Sequence, residues 1–505
     1  MQSSSAMAAF NGIEAFNLTD TAMIGILACG AYVPRLRLQR ASVSAAHAWF
    51  APALKAHGKG ERAMANWDED ALTLAVEAAR DAAPEAARRG IGTLMLASTS
   101  LPFADRQNAG IVKEALNLAD DVFTQDITGS QKAGTGALIQ ALRGAASADA
   151  AHTLCIASER AAAKPASEAE LINGDAAAAF VLGRGEPIAR FIGSHSLSID
   201  FVDHFRGSDA SFDYGWEARW VRDEGYGRIA GDALTQALAK FGLAGEDVHR
   251  LIVPIPARGV AESLARTCGV PASAIVDTLG PTLGHAGCAQ PLVLLAHALE
   301  RAQPGERIVL LGFGQGADVL IFETTPAIAT QANATKRGVS GWLARGKPEA
   351  NYLKYLFFTG GIGLDTGMRA EFEQKQPLTA LYRNRSAVLG LVGGRDPETG
   401  AVQFPPTGIA VGSHDARSAT LEPYPLAERT ARVLTFTADR LAFTPDPPGC
   451  YGMVEFDGGG RMLAEFTDAD ADQIEVGRAM RMSFRIKSVD ERRGFVKYFW
   501  KAMPA

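Results

Sequence analysis

The chain has 505 residues, 47% of them apolar and 21% charged, a balance that fits a globular protein with more than one domain and a sizeable core. Its net charge of −6, without a run of five or six like charges, argues against a nucleic acid or an anionic membrane as partner. The longest apolar stretches, such as LVLLAHAL at 292–299, fall far short of the about 20 residues that span a bilayer.

The first 22 residues lack a basic segment followed by an apolar one, so they read as a flexible extension and not as a signal peptide. From Met23 to about residue 325, short apolar runs alternate with Ala-rich segments of helical period. IGTLMLAST (91–99), HTLCIASE (152–159), HRLIVPIP (249–256) and ERIVLLGFGQG (306–316) read as buried strands. Residues 70–83, 107–117, 133–146, 229–242, 260–268 and 289–302 read as helices. This alternation predicts a layered α/β fold with a mostly parallel sheet.

An internal repeat lies within that region. Gln131 opens a helix that leads to a strand near Ile156, and His285 opens a second helix that leads to a strand through Leu310 at the same spacing. Two Gly-rich helix entrances in one duplicated unit could face a shared cavity, where free backbone N–H groups favour something negative.

Past residue 325 the pattern changes. Residues 326–377 read as a linker whose aromatic patch, YLKYLFFTGGIGL (352–364), docks on a domain. In 378–505 the runs RTARVLTFT (429–437), YGMVEFDGGGRMLAEFT (451–467) and AMRMSFRIKS (479–488), with a hairpin on GGG at 458–460, predict a small β-barrel of the OB type. The five cysteines, Cys29, Cys155, Cys268, Cys288 and Cys450, show no CxxC spacing, which argues for a reducing, cytoplasmic setting and against a zinc cluster.

Several of these motifs, met in order, carry a resemblance. MIGILACGAYVPRLRL (23–38), QKAGT (131–135), DAAAAFVLG (175–183) and LGHAGCAQPLVLLAHALERAQPGERIVLLGFGQGAD (283–318) resemble the thiolase superfamily, nearest to archaeal-type hydroxymethylglutaryl-CoA synthases and ketosynthase-like proteins. The tail resembles the OB-fold module associated with acyl-CoA enzymes. The resemblance implies a duplicated αβαβα domain (23–325) followed by an OB-fold (378–505), a homodimer, and a coenzyme A thioester as substrate with no permanently bound cofactor.

The same resemblance exposes vacancies. Where the synthases carry the acyl-holding cysteine this chain has Gln131, which cannot form a thioester. Thr99 stands at the place of their acidic glutamate, and Pro254 at the place of their histidine. Gly284-His285 matches the thiolase GH pair, whose imidazole helps form an oxyanion hole. In the OB module, GGRDPETGAVQFPP (393–406) has Asp396 and Thr399 where relatives have zinc-binding cysteines, so no metal is expected.

The catalytic candidates are therefore His285, Gln131, Tyr226, Ser130 and Cys288. Gln131 is either a donor to a thioester oxygen or a filler in a dead site; Cys288 also reads as a small buried hydrophobe, and Ser130 as a cap. The irregular segment 201–228 offers His204, Arg206, Tyr214 and Arg219 for substrate or CoA, joined by Lys132, Gly314 and Gly316, and reads equally as a surface loop. Three functions fit: non-covalent C–C lyase chemistry on a CoA thioester, including decarboxylation; a silent acyl-CoA-binding or scaffolding subunit; or acyl transfer through another nucleophile.

Overall fold

The computed structural model describes residues 23–146, 151–331, 337–370, 377–411 and 420–505; the N-terminal extension expected at 1–22 lies outside them. Nine strands form the main sheet: β1 (Met23–Tyr32), β2 (Ile91–Ala97), β3 (Phe123–Ile127), β4 (His152–Glu159), β5 (Ala176–Gly185), β6 (Ala189–Ser198), β7 (Arg250–Ile252), β8 (Arg307–Phe313) and β9 (Gly316–Thr324). Their order is β7-β8-β9-β6-β1-β5-β4-β2-β3.

The order contains the repeat. Running outward from the centre, β1-β5-β4-β2 in one half matches β6-β9-β8-β7 in the other, with the same alternation: antiparallel, antiparallel, then parallel. The halves join where β1 pairs with β6, at Gly25 with Arg190 and Ile26 with Ala189.

The sheet is mixed, whereas the sequence suggested mostly parallel pairing. Antiparallel neighbours dominate because strands such as β8 and β9 are joined by a tight turn, Gly314-Gln315, that is too short for the crossover a parallel pair needs. Gln315 takes a left-handed φ of 52° to make that turn.

Six helices cover the sheet: α1 (Ala71–Ala82), α2 (Asn108–Ala115), α3 (Ala133–Gly144), α4 (Gly231–Lys240), α5 (Val260–Thr267) and α6 (Gln290–Leu299). α1 lies on β1, β5 and β4, and α4 on β6 and β9, while α3 and α6 contact each other and strands of both halves. Their close approach depends on Gly134, where an added Cβ would sit 2.3 Å from the carbonyl oxygen of Cys288. α1 begins at a reciprocal cap: Asp70 accepts from the N–H of Leu72 (2.9 Å) and Thr73 (3.0 Å), and Thr73 Oγ1 accepts from the N–H of Asp70.

In the stretch expected as a linker with a docking aromatic patch, the described helices pack on the first domain. Trp342, on the helix Gly338–Ala344, sets its ring edge-on to Tyr32 at 4.6 Å, and the helix Tyr352–Phe358 buries Tyr352, Tyr355 and Phe358 against Leu36, Leu38 and Met64.

The C-terminal sheet is antiparallel throughout and has five strands: β10 (Ala431–Asp439), β11 (Gly449–Phe456), β12 (Arg461–Glu465), β13 (Ala479–Asp490) and β14 (Phe495–Pro504), in the order β12-β11-β10-β13-β14. The β11–β12 turn carries Gly458, Gly459 and Gly460, all at positive φ. A bridge from Phe466 to Ala502 brings the outer strands together, as in an OB-fold. At Asp396 the carboxylate accepts from the N–H of Glu398 (3.0 Å) and from Thr399 Oγ1 (2.8 Å), so hydrogen bonds close that turn.

The barrel is locked to α1 by buried charge. Arg485, fully buried on β13, pairs with Glu69 (2.5 Å), Asp468 (2.7 Å) and Asp68 (3.5 Å) and donates to Tyr32 Oη (3.0 Å). Lys501 holds Asp68 at 3.0 Å, and Tyr498 Oη donates to Asp70 at 2.6 Å. Among the described residues no helix is long and apolar enough to cross a membrane.

Candidate functional site

The turn before α3 is held by its own small residues. Ser130 Oγ donates to the carbonyl of Gly314 (3.0 Å) and accepts from the N–H of Lys132 (3.3 Å). A Cβ on Gly314 would lie 2.9 Å from both Ser130 Oγ and Lys132 N, so the two turns touch only because that residue is glycine. Gly316 is needed for a similar reason, since its Cβ would meet the carbonyl oxygen of Leu197 at 2.0 Å. Packing thus accounts for both glycines, and Ser130 ties the turn together but does not cap α3, whose N-cap position, Lys132, has no side-chain cap bond.

Gln131 projects from this turn toward the second half. Its Nε2 lies 3.4 Å from His204 Nε2, and His204 Nδ1 lies 2.9 Å from Asp203 Oδ2. His204 sits on a short hairpin, His204–Phe205 against Tyr214–Gly215. The hydrogen bond to Asp203 raises the imidazole above its usual pKa, opposed by burial. Arg206 pins the hairpin down by pairing with Asp213 (2.7 Å) and donating to the Thr99 carbonyl.

His285 lies five residues ahead of α6 and not at its first turn, because an intervening 3₁₀ turn, Gly287–Ala289, begins the helix. Its backbone bridges to Asn173. His285 Nε2 is 2.9 Å from the Pro254 carbonyl, an acceptor, so this nitrogen carries the hydrogen and Nδ1 presents a lone pair. Burial lowers the pKa of the ring, and nearby His204 lowers it further. The two helix entrances converge, yet Gln131 meets His204 and not His285, which feels His204 only through its charge, and the N–H expected to face an oxyanion is given to Pro254.

Gly287 is what lies against Gln131 directly. A Cβ there would stand 3.1 Å from Gln131 Oε1, 2.8 Å from Glu159 Cγ and 3.2 Å from Glu159 Oε2. Glu159, at the end of β4, is wholly buried; its Oε2 accepts from the N–H (3.1 Å) and Oγ1 (2.9 Å) of Thr99. Glu159 Oε1 and Gln131 Oε1 are both buried without a hydrogen-bond partner. Sequence reasoning missed Glu159 and Asp203. The available signal was an acid that ends an otherwise apolar strand, HTLCIASE, where a buried carboxylate needs a partner or a task.

The other candidates fall into place around this group. Cys288 is buried beside Glu159; burial first, then that carboxylate, raises its thiol pKa well above the ordinary range, which leaves it unreactive. Tyr226, on the π-helical segment Val221–Ala230, stands edge-on to Phe313 at 5.0 Å, and burial, with Asp203 nearby, pushes its phenol up to about 12. Lys132 turns inward to Asp318 at 3.6 Å, and so is not free for a phosphate. Arg219, with a side chain 80% exposed, pairs with Asp223 at 3.7 Å outside the cluster, and Tyr214 is exposed on the hairpin. The assembled group, Asp203, His204, Gln131, Glu159 and His285, can accept and donate protons but holds no activated nucleophile.

Comparison with known proteins agrees with this architecture. Residues 424–485 match the family model of the C-terminal OB-fold domain of ChsH2, and residues 238–321 match that of the C-terminal part of 3-oxoacyl-acyl-carrier-protein synthase III. A hydroxymethylglutaryl-CoA synthase of Archaeoglobus fulgidus is 30% identical over 315 residues, covering 61% of this chain and 90% of the relative. That of Thermococcus gammatolerans is 28% identical over 342 residues, covering 66% and 95%. Among solved structures, HMG-CoA synthase complexed with CoA superposes with a TM-score of 0.60 at 16% identity, covering 70% of this chain and 95% of that one. PksG, an HMG-CoA synthase from Bacillus subtilis, gives 0.58 at 18%, again covering 70% and 95%.

Proposed function

Because the chain belongs to the hydroxymethylglutaryl-CoA synthase family, we propose that it acts on a coenzyme A thioester and makes or breaks a C–C bond without acylating itself. The observation that carries this reading is the Asp203–His204–Gln131 chain at the α3 entrance. A retro-aldol step needs a base for the β-hydroxyl proton and a donor for the thioester oxygen as it becomes an enolate. His204, oriented by Asp203, takes the proton. In the free protein the Gln131 N–H occupies the Nε2 lone pair of His204; when the substrate hydroxyl takes that lone pair, the Gln131 N–H is released to donate to the thioester oxygen. His285 stays neutral at the rim, and Tyr226, its phenol protonated, is a further donor. Decarboxylation of a malonyl-type thioester would use the same oxyanion donor.

The molecule acts in this reading as a cytoplasmic homodimer, which size-exclusion chromatography with light scattering tests. Purified protein mixed with β-hydroxyacyl-, β-ketoacyl- and malonyl-CoA should yield cleaved products by mass spectrometry, and His204→Ala should abolish them while CoA binding persists.

A second reading, a silent acyl-CoA-binding or scaffolding subunit, is favoured by the buried Cys288 thiol, whose raised pKa leaves it unreactive, and by Ser130, whose hydroxyl is bound within its turn. Tight binding without turnover of any thioester would select it. Acyl transfer by Ser130 or Cys288 would instead leave a covalent acyl-protein in the mass spectrum.

A further inference from the structure

Three arginines crowd one indole where the first domain meets the barrel. The guanidinium of Arg337 stands over the Trp342 ring 4.8 Å from its centroid, that of Arg481 at 5.6 Å and that of Arg345 at 5.8 Å. Trp342 belongs to the helix Gly338–Ala344 and Arg481 to β13 of the barrel, while Arg345 donates to the Pro504 carbonyl at the end of β14 (3.2 Å). A ring has two faces, so at least two of the three cations share one. Attraction to the ring's π-electrons holds each cation in place but does nothing to separate it from the next.

The carboxylates within reach are committed. Glu77 pairs with Arg481 (2.6 Å) and also with Arg80 (2.7 Å). Asp81 turns its oxygens to the backbone N–H groups of Ala31 (3.0 Å), Arg337 (2.9 Å) and Gly338 (3.1 Å). Asp468 is held by Arg485 at 2.7 Å, and Asp470 by Arg35 at 2.7 Å and by Lys347. Arg337 is left with the ring, and Arg345 with the ring and one carbonyl; among the described residues neither guanidinium has an ion-pair partner.

The crowding shows in their chemistry. Burial first, then Arg345 and Arg481, bring the Arg337 guanidinium down to about 10, and burial followed by Arg481 lowers Arg345 as well. The Trp342 ring is buried, and its Nε1–H has no acceptor. All three arginines are half-buried, so a solute can reach them.

We propose that Arg337, Arg345 and Arg481 form a binding site for a phosphate dianion, free or as the monoester of a nucleotide, which bridges the 337–345 segment and the barrel. The charge matches: a phosphate monoester carries about −1.5 to −2 at neutral pH, and two guanidinia lack a carboxylate. The shape matches too, because planar guanidinium forks suit the several acceptor oxygens of one phosphate. The site stands or falls independently of the C–C bond reading.

The test is isothermal titration calorimetry of the full chain with inorganic phosphate, against potassium chloride at matched ionic strength. One phosphate should bind per chain. Arg337→Gln and Arg345→Gln, which break no ion pair, should each raise Kd about 10-fold or more, the scale of one charge-assisted hydrogen bond. Arg461→Gln, at an exposed side chain on β12, should leave Kd unchanged. Phosphate should also change the tryptophan emission of the parent but not of Trp342→Phe. Adenosine monophosphate binding more tightly than inorganic phosphate identifies a nucleotide as the source, and binding no more tightly identifies the free ion. Heat that vanishes against matched chloride, unchanged affinity in both arginine variants, or an emission change that survives Trp342→Phe would overturn the site. Should Trp342→Phe fail to fold, the two arginine variants decide.

Discussion

Replacing Arg485 with Met tests how the barrel is held to the first domain. The guanidinium is fully buried among Asp68, Glu69 and Asp468, and Lys501 pairs with Asp68. Methionine fills a similar space but removes the ion-pair partner of Glu69 and Asp468, leaving them only the more distant charges of Arg37 and Arg345. Removing one partner from a buried pair costs about 3–5 kcal/mol. The lower end applies, because burial first, opposed by Arg485, has already raised the Glu69 carboxyl to about 7, so that it can take up a proton. At about 2–4 °C per kcal/mol for domains of this size, the melting temperature should fall by roughly 6–12 °C. The sign of the pH effect follows from linkage. A carboxyl whose folded pKa is above its unfolded value favours the fold below the unfolded value, and that contribution is lost as pH rises through about 7. Without Arg485, which lowers it, the Glu69 carboxyl rises further in the variant, so the variant loses more stability than the parent as pH climbs past 7 and the gap between them should be wider at pH 8 than at pH 6. Differential scanning fluorimetry across that range measures it. A gap of under about 2 °C at both pH values, when at least 6 °C is expected, would refute the claim that this charge group anchors the barrel.

At the other edge of the same interface, burial pushes the Glu428 carboxyl up, but Arg80 and Arg88 outweigh it and bring it down to about 2. Its stabilisation is present above the ordinary carboxylate range and lost as pH falls toward 2, so Glu428→Gln should lower the melting temperature at pH 7 and narrow the difference toward pH 3, read by circular dichroism. Gly287→Ala forces a left-handed φ of 48° on alanine and drives its methyl into Glu159 and Gln131, so it should lose about 1–3 kcal/mol in urea unfolding and 10-fold or more in any turnover. Unchanged turnover would separate Gly287 from the site. Cys288, buried beside Glu159, should resist iodoacetamide in the folded protein and react only in denaturant, while half-exposed Cys268 and Cys450 label first; mass mapping distinguishes them.

The sequence made the repeat and the six helices legible because each rests on local periodicity. The helices start within two residues of where the apolar spacing puts them, α1 at Ala71 and α3 at Ala133 among them. The barrel was legible from alternating runs and the triple glycine, apart from β14, whose residues FVKYFWKAMP were not picked out. The charge group escaped entirely. Asp68, Glu69 and Asp70 look like a solvated acidic run, and the partners that bury them, Arg485, Tyr498 and Lys501, follow some four hundred positions later. At the site, sequence reasoning named Gln131, His285 and His204, but not the contact between Gln131 and His204 or the acids beside them. Asp203 lies in a segment without periodicity, and Glu159 hides at the end of a strand. Tautomers are a further level down: only the Pro254 carbonyl fixes the hydrogen of His285.

The symmetric build of the first domain has an asymmetric outcome. The leading half supplies the amide and the acid, Gln131 and Glu159, and the trailing half supplies both imidazoles and the glycine floor on which the acid and amide rest. The cluster is thus split across the seam: neither half holds it alone, and a lesion on one side has no spare on the other.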